Sequence, residues 1–249
     1  MHILRSLILT IPVLFSVVVA QGQVQKKSAT TKSPIKKTTP MAVKPTPAVM
    51  VQPAKATGVR VSITTDLGEI IIRLSDKTPQ HRDNFIKLVN EHFYDSLLFH
   101  RIIAGFMIQG GDPTSRYAPP DIMLGSGAVG YTIPAEFDST LYHKKGALAA
   151  ARTNNAEKAS SGCQFYIVHG KKYGEDELNM IEIERGIYFS PAKRMTYKMV
   201  GGTPKLDMNY TVFGEVETGI EVVEQIAQVQ NNNFDRPIKD VRMKMEIVK

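Results

Sequence analysis

From residue 59 onward, the chain consists of short stretches in which apolar and polar residues alternate, separated by turn-forming residues. Residues 59–63 and 70–74 show this pattern, and an Asp-Leu-Gly turn at 66–68 joins them. Alternation with a period of two is typical of a strand with one buried face, so these residues predict a β-hairpin. We expect further strands at about 98–103, 106–110, 131–136, 146–152, 164–168, 212–216 and 242–248.

Two segments in the same region have the apolar spacing of a core helix. Thr78 and Pro79 are typical of an N-cap and a first helical position, and residues 85–93 place five apolar or aromatic side chains on one face. A second helix is expected at 219–228. Short strands with two core helices predict a mainly β, all-β fold, a barrel whose ends are capped by the helices.

Residues 170–204 interrupt this rhythm of strands. The polar segment 175–184 predicts one helix, and Ser190 followed by Pro191 predicts the start of another. We interpret 170–204 as a helical insertion in a loop, because it is too short to have a core of its own.

The net charge of +7 comes from the N-terminal part of the chain. Residues 1–57 carry eight of the 31 basic residues and none of the 24 acidic ones, so residues 58–249 are nearly neutral. A nucleic-acid-binding domain needs a basic face of its own, and we therefore expect no nucleic-acid partner. Residues 21–57 are rich in Lys, Pro and Thr with few bulky apolar residues, which predicts a disordered linker.

Residues 1–20 have the pattern of a secretory signal peptide. A short polar start precedes an apolar run, and Val18, Val19 and Ala20 suit a cleavage site. The run is too short for a comfortable membrane span, so we expect export to the periplasm or cell envelope with no stable membrane span after cleavage. An uncleaved anchor is the alternative. In either case, we expect residues 58–249 to form one domain.

The segment FHRIIAGFMIQGGDP at 99–113 carries the strongest functional signal. Arg101 and Gln109 stand among Phe, Met and Ile residues on either side of Gly105. A guanidinium and an amide placed in apolar strands are costly unless they face a cleft and pair there. The segment therefore predicts a site that holds an apolar group and donates hydrogen bonds beside it.

Other candidate motifs lack the context that their chemistry needs. Glycines at 125–130 match a dinucleotide-binding pattern, but the Tyr-Thr-Ile-Pro that follows cannot open the required helix, so we interpret them as a tight loop. The single cysteine, Cys163, excludes an intrachain disulfide, and the histidines show no metal-ligand spacing. We therefore expect no metal and no cofactor.

Several segments together resemble the cyclophilin family of peptidyl-prolyl cis–trans isomerases. The segment at 99–113 matches the family signature at its fixed positions except Ala104, where the family has proline. IPAEF at 133–137, QFYI at 164–167 and LDMNYTVFGEV at 206–216 follow in the family's order. The resemblance covers roughly residues 59–249, apart from the insertion.

Three further positions depart from the family pattern. Arg152 replaces a frequent asparagine, and its backbone can still pair with a substrate. Tyr210 stands where many members have histidine. Lys205 replaces a tryptophan found in cyclosporin-sensitive members.

The resemblance implies a closed eight-stranded antiparallel β-barrel with a helix over each end and a peptide groove on its outer wall. It implies that Arg101 is the catalytic arginine, that Gln109 positions it and that Phe106 belongs to the same catalytic set. The implied substrate-binding residues are Met107, Ala151, Arg152, Gln164, Phe165, Leu206, Tyr210 and Phe213.

These residue types suit the isomerisation of X-Pro bonds. Amide resonance gives this rotation a barrier of about 20 kcal/mol, and twisting the bond makes the proline nitrogen basic. A donor aimed at that nitrogen stabilises the twisted state more than either planar state. Arginine suits the task because it stays protonated and its fork is rigid.

We therefore expect a peptidyl-prolyl cis–trans isomerase that assists the folding of exported proteins. It would act as a monomer on proline-containing peptides and on unfolded or exported proteins. One alternative is a cyclophilin-like module that binds proline-containing partners with little catalysis, and another is a nucleic-acid or surface binder that acts through its lysine-rich tail. We also expect the 170–204 insertion to border the groove and select substrates.

Overall fold

The structure is a computed structural model that describes residues 58–120 and 122–248. The predicted signal peptide and linker lie outside these residues. The strands are β1 (Arg60–Thr65), β2 (Gly68–Leu74), β3 (Phe99–Ile103), β4 (Met107–Gly110), β5 (Thr132–Ile133), β6 (Ala147–Ala150), β7 (Ser160–Ser161), β8 (Phe165–Val168), β9 (Val212–Thr218) and β10 (Met243–Val248). The α-helices are α1 (Pro79–Asn90), α2 (Glu175–Arg185), α3 (Pro191–Met199) and α4 (Ile220–Ala227). Over the described ranges, no helix has both the length and the apolar character to span a membrane.

Eight strands form one antiparallel sheet in the order β10-β1-β2-β9-β6-β8-β4-β3, and β5 pairs with β7 separately. The sheet curls into a half-barrel, so the expected closed barrel is wrong. The segments where its end strands β3 and β10 begin meet at one isolated bridge, Leu98 with Arg242. Three backbone hydrogen bonds join the same segments, from Ser96 N to Met243 O, from Phe99 N to Val241 O and from Met243 N to Leu97 O (each 2.9 Å). The chain before β10 is rich in Asn and contains Pro237, which has no N–H to donate, so it cannot extend a regular ladder along β3.

The inner face of the sheet forms the main apolar core. Phe165 on β8 and Phe213 on β9 meet Phe85 of helix α1, with ring centroids 5.6 and 5.4 Å away. Helix α4 adds Val223 and Ile226, which are fully buried. The two predicted core helices are thus confirmed, since burial of their apolar faces is what attaches them to the sheet.

Helix α1 begins at Pro79, as predicted, but its N-terminus is capped from elsewhere in the chain. The Thr78 side chain makes no capping hydrogen bond. Instead, the carboxylate of Glu136 accepts from the backbone N–H of His81 (3.0 Å) and from its ring Nδ1 (2.7 Å). The helix ends at Asn90, so the last residues of the predicted apolar face lie beyond it.

The insertion contains the two predicted helices, α2 and α3, and it also has a small apolar cluster of its own. The buried members of this cluster are Leu178, Ile181, Phe189 and Tyr197. The prediction that the segment is too short for a core is wrong to this extent. Tyr142, which precedes β6, packs on the cluster and attaches it to the rest of the domain.

Candidate active site

One row of side chains crosses the outer face of the sheet over five neighbouring strands. Arg101 lies opposite Gln109, Gln109 opposite Tyr166, Tyr166 opposite Ala149, and Ala149 opposite Val212. Residues directly opposite each other on paired strands point to the same face. The arginine and the glutamine of the 99–113 segment therefore share a surface that the core does not occupy.

A pocket of about 130 Å³ opens over this row. Its lining residues are Arg101, Phe106, Met107, Gln109, Ala151, Arg152, Tyr166, Leu206 and Tyr210. Eight of these nine come from the predicted catalytic and substrate-binding set. The pocket joins an apolar wall, formed by Phe106, Met107 and Leu206, to a guanidinium and an amide at its edge.

Phe165 and Phe213, which were predicted to line the pocket, lie on the inner face of the sheet instead. Their exposed fractions are 1% and 2%, and both belong to the main core. Phe165 lies opposite Gly110, whose missing side chain leaves space for the ring. The next residue, Tyr166, points outward and lines the pocket. Strand alternation within residues 164–167 is the signal that distinguishes the two aromatic residues.

Gln164 lies behind the pocket and orients Gln109. Gln109 Nε2 donates to Gln164 Oε1 (2.9 Å), and Gln164 Nε2 donates to the carbonyls of Gly125 (2.9 Å) and Gly127 (2.8 Å). Because Gln164 uses its donors on the glycines, its oxygen accepts from Gln109. The amide oxygen of Gln109 is then the end that can accept from a guanidinium.

The glycine-rich segment at 125–130 is the tight loop that the sequence predicted, and Asp112 holds it. The Asp112 carboxylate accepts from the backbone N–H of Gly125 and Gly127 and from Thr114. Burial would raise the pKa of Asp112, but these hydrogen bonds outweigh it and hold the pKa below its ordinary value. A side chain at Gly127 would clash with the carboxylate.

Arg101 has a charge partner that the sequence did not reveal. Its Nε lies 3.4 Å from Oδ2 of Asp235, and both side chains are about half exposed. The Asp235 carbonyl accepts from Ile102 N (2.8 Å), which fixes the aspartate beside β3. The described part of the chain contains no direct hydrogen bond between Arg101 and Gln109, so the positioning role of Gln109 stays a prediction.

Arg152 and Tyr210 form the rim of the pocket. The Arg152 guanidinium lies 4.7 Å from the centre of the Tyr210 ring and donates to the carbonyl of Asn209 (2.9 Å). The backbone N–H of Ala151 donates to Gln164 O, and its carbonyl accepts from Ser161 N. Among the described residues, the backbone N–H and C=O of Arg152, two residues beyond the end of β6, are thus the next groups along the chain that a substrate could reach.

A larger cavity of about 370 Å³ lies further along the same face, and its charges are already paired. Arg73 and Lys144 on its rim both contact Glu215. Within residues 58–120 and 122–248, no group of three or more His, Cys, Asp or Glu side chains is arranged to hold a metal ion. The smaller pocket at Arg101 is therefore the candidate active site, because it combines an apolar wall with a guanidinium whose two terminal nitrogens make no hydrogen bond within the described ranges.

Comparisons with known proteins show the family to which the chain belongs. A family model described as cyclophilin type peptidyl-prolyl cis-trans isomerase/CLD matches residues 60–247. A relative from Streptococcus pyogenes, named as a bifunctional phosphatase/peptidyl-prolyl cis-trans isomerase, is 40% identical over 190 residues, which are 74% of this chain and 37% of the relative. A relative from Staphylococcus haemolyticus, named as a peptidyl-prolyl cis-trans isomerase, is 34% identical over 184 residues, which are 74% of this chain and 87% of the relative.

Solved structures share the fold. A crystal structure of a Cryptosporidium parvum cyclophilin-type isomerase aligns with a TM-score of 0.59 at 23% identity, covering 78% of this chain and 99% of that one. A second structure of the same protein, determined in the presence of the dipeptide Ala-Pro, aligns with a TM-score of 0.57.

The curled β-sheet has the fold of peptidyl-prolyl cis–trans isomerases of known structure. The chain belongs to the cyclophilin-type family of these enzymes. It spans 37% of the length of the streptococcal relative.

Proposed function

We propose that the pocket at Arg101 binds the proline ring of an X-Pro bond and lowers the barrier to its rotation. The observation that carries this proposal is the position of Arg101 and Gln109 at the edge of a pocket walled by Phe106, Met107 and Leu206. The apolar wall holds the ring still while the preceding carbonyl turns. The guanidinium donates to the proline nitrogen as it loses its amide character.

The charge partner of Arg101 supports this assignment of donors. Asp235 lies next to Nε, so the two terminal nitrogens of the fork are the ones available to the substrate. Gln109, on the paired strand β4, has its amide oxygen left over for this fork, and we propose that it accepts from the fork in the substrate complex without neutralising it. The ion pair with Asp235 restrains one side of the guanidinium, and the bond proposed for Gln109 restrains the other, which together amount to electrostatic preorganisation.

A substitution of Arg101 tests the proposal. We expect Arg101→Ala to lower kcat/KM by about a hundredfold to a thousandfold, the effect of removing one donor to a developing charge. The assay is protease-coupled isomerisation of a chromogenic Xaa-Pro tetrapeptide. Arg60→Ala is the matched control, because Arg60 is an arginine on β1 that pairs with Glu217 away from the pocket. Full activity in Arg101→Ala would refute the mechanism.

The same variants distinguish an enzyme from a binding module. Peptide binding can be measured from the NMR shifts of the pocket residues. It should be retained in Arg101→Ala, because the apolar wall of the pocket remains. Wild-type protein that binds the peptide without accelerating its isomerisation would support the binding module instead.

For the role in the cell, we propose that the enzyme is exported and assists the folding of exported proteins, acting as a monomer in the periplasm or cell envelope. The signal-like pattern at 1–20 supports export. The insertion supports a protein substrate, because its first residue, Gly170, bonds to the carbonyl of the pocket residue Phe106. The N-terminal sequence of the protein recovered from the envelope fraction tests this, and we expect it to begin at Gln21. Intact protein found only in the cytoplasm would contradict the proposal.

A further inference from the structure

A buried chain of hydrogen bonds leads from the active-site pocket to the insertion. The Tyr166 hydroxyl lies 3.0 Å from His143 Nε2, and His143 Nδ1 lies 3.0 Å from Asp207 Oδ1. The hydroxyl of Tyr197, on helix α3, donates to the other oxygen of Asp207 (2.8 Å). Each of these four residues is at most 4% exposed.

The partners fix where the protons lie. A carboxylate can only accept, so a neutral His143 ring is assigned as donating through Nδ1 to Asp207 and accepting at Nε2. Tyr166 then donates its hydroxyl proton to Nε2. Burial raises the pKa of both Tyr166 and Tyr197, so both hydroxyls keep the protons that they donate. The chain is satisfied in one arrangement, with every donor aimed at an acceptor.

The two ends of this chain of hydrogen bonds lie in different parts of the molecule. Tyr166 forms the floor of the pocket, and its ring is near parallel to that of His143 (17°). Asp207 directly follows Leu206, another pocket residue. At the other end, Tyr197 lies at the centre of the cluster that holds the insertion together. One carboxylate therefore connects two walls of the pocket to helix α3.

The insertion also meets the pocket at its beginning. The carbonyl of Phe106, on the opposite wall, accepts from the backbone N–H of His169 (3.1 Å) and Gly170 (3.0 Å). His169 Nδ1 in turn accepts from Gly105 N (2.8 Å). Both ends of the insertion are therefore bonded to residues that shape the pocket.

We propose that His143, Asp207 and Tyr197 are positioning residues that set the Tyr166 ring and Leu206 for the proline ring, so that helix α3 of the insertion controls how tightly the pocket binds its substrate. This inference rests on the proposed function of the pocket. The arrangement resembles the support of a ligand by an outer layer of hydrogen bonds, in which a buried side chain is aimed by a partner that never touches the substrate.

Removing one hydroxyl at the far end of the chain tests the coupling. Tyr197→Phe deletes the bond to Asp207 and keeps the ring that fills the cluster. We expect KM for the Xaa-Pro tetrapeptide to rise by about tenfold with little change in kcat, as for a residue in a coupled network. Tyr166→Phe should give a similar rise, and the double variant should not exceed either single variant by more than about twofold, because both remove the same constraint.

Tyr142→Phe is the matched control. Tyr142 packs on Tyr197 in the same cluster, and its hydroxyl bonds to Thr196 Oγ1 (3.1 Å), which is not part of the chain to Tyr166. Its KM should stay within about twofold of wild type. If Tyr197→Phe and Tyr142→Phe change thermal stability equally and leave KM unchanged, the hydrogen-bonded chain from Tyr166 to Tyr197 has only a structural role and the proposal is overturned.

A measurement without substrate separates this inference from the proposed function. The ¹⁵N shifts of the His143 ring report which nitrogen carries the proton. We expect Nδ1–H in wild type and a mixture of tautomers in Asp207→Asn, whose side chain can also donate. A wild-type ring protonated at Nε2 refutes the chain of bonds whatever the activity, whereas a correct ring in a protein without isomerase activity refutes the proposed function alone.

Discussion

Acid should destabilise this protein through one buried histidine that directly precedes Arg101 in the chain. His100 on β3 is 2% exposed. Burial lowers the pKa of His100 from 6.5 to about 4, and the nearby Asp112 only partly opposes this effect. The ring is therefore neutral in the folded protein at pH values where it is charged in the unfolded chain.

The size of the effect follows from the two pKa values. Above pH 6.5 the ring is neutral in both states, and the free energy of unfolding does not depend on it. As the pH falls from 6.5 towards 4, the unfolded chain binds a proton that the folded protein does not, so stability is lost. The loss from His100 is about 2 kcal/mol at pH 5 and about 3 kcal/mol at pH 4.

Urea unfolding of wild type and His100→Gln at pH 7, 6, 5 and 4 measures this loss. Glutamine is polar but does not titrate, so the difference in unfolding free energy between the two proteins should shift by about 3 kcal/mol in favour of the variant between pH 7 and pH 4. His92→Gln, which replaces an exposed histidine, is the control and should show a much smaller shift. A constant difference between wild type and His100→Gln across this range would refute the reasoning.

Three further predictions follow from burial and contacts. Phe165→Ala should lower the free energy of unfolding by about 3–5 kcal/mol, because it empties a buried site in the core. Phe106→Ala, in the pocket, should lower it by less than about half as much and should mainly raise KM. Equal losses for the two variants in urea unfolding would contradict the assignment of one ring to the core and the other to the pocket. Gly127→Ala should destabilise the protein by about 2 kcal/mol, because the new methyl group displaces the Asp112 carboxylate, and unchanged thermal stability would exclude that clash. Arg236→Leu should lower the free energy of unfolding by about 3 kcal/mol in urea unfolding, because this buried guanidinium donates hydrogen bonds to three backbone carbonyls. An unchanged free energy of unfolding would mean that water takes over these hydrogen bonds.

The sequence predicted the pocket residues best where a motif names them. Arg101 and Gln109 stand out because polar residues in apolar strands need a cleft, and the structure places both at the pocket. The choice between Phe165 and Tyr166 was wrong because both are aromatic and adjacent. Which of the two faces inward is decided by the strand register, which pairs Tyr166 with Gln109.

Contacts between distant segments left no local signal. Asp235 pairs with Arg101, and Asp207 pairs with His143, across separations that no periodicity spans. The open edge of the sheet was missed for a related reason. Alternation predicts that strands exist, but closure depends on whether the last segment can supply a continuous row of N–H groups, and Pro237 interrupts it.

The seam between β3 and the segment before β10 also has a consequence for the order in which the protein is made. Asn231 Nδ2 donates to Ile102 O (2.7 Å), and Asp235 O accepts from Ile102 N (2.8 Å), so residues translated late complete the strand that carries Arg101. A nascent chain that has already emerged through Tyr210 contains every pocket residue and still lacks one flank of the strand that carries Arg101. The strand that carries Arg101 is therefore paired on both sides only after residues 231–235 have been synthesised.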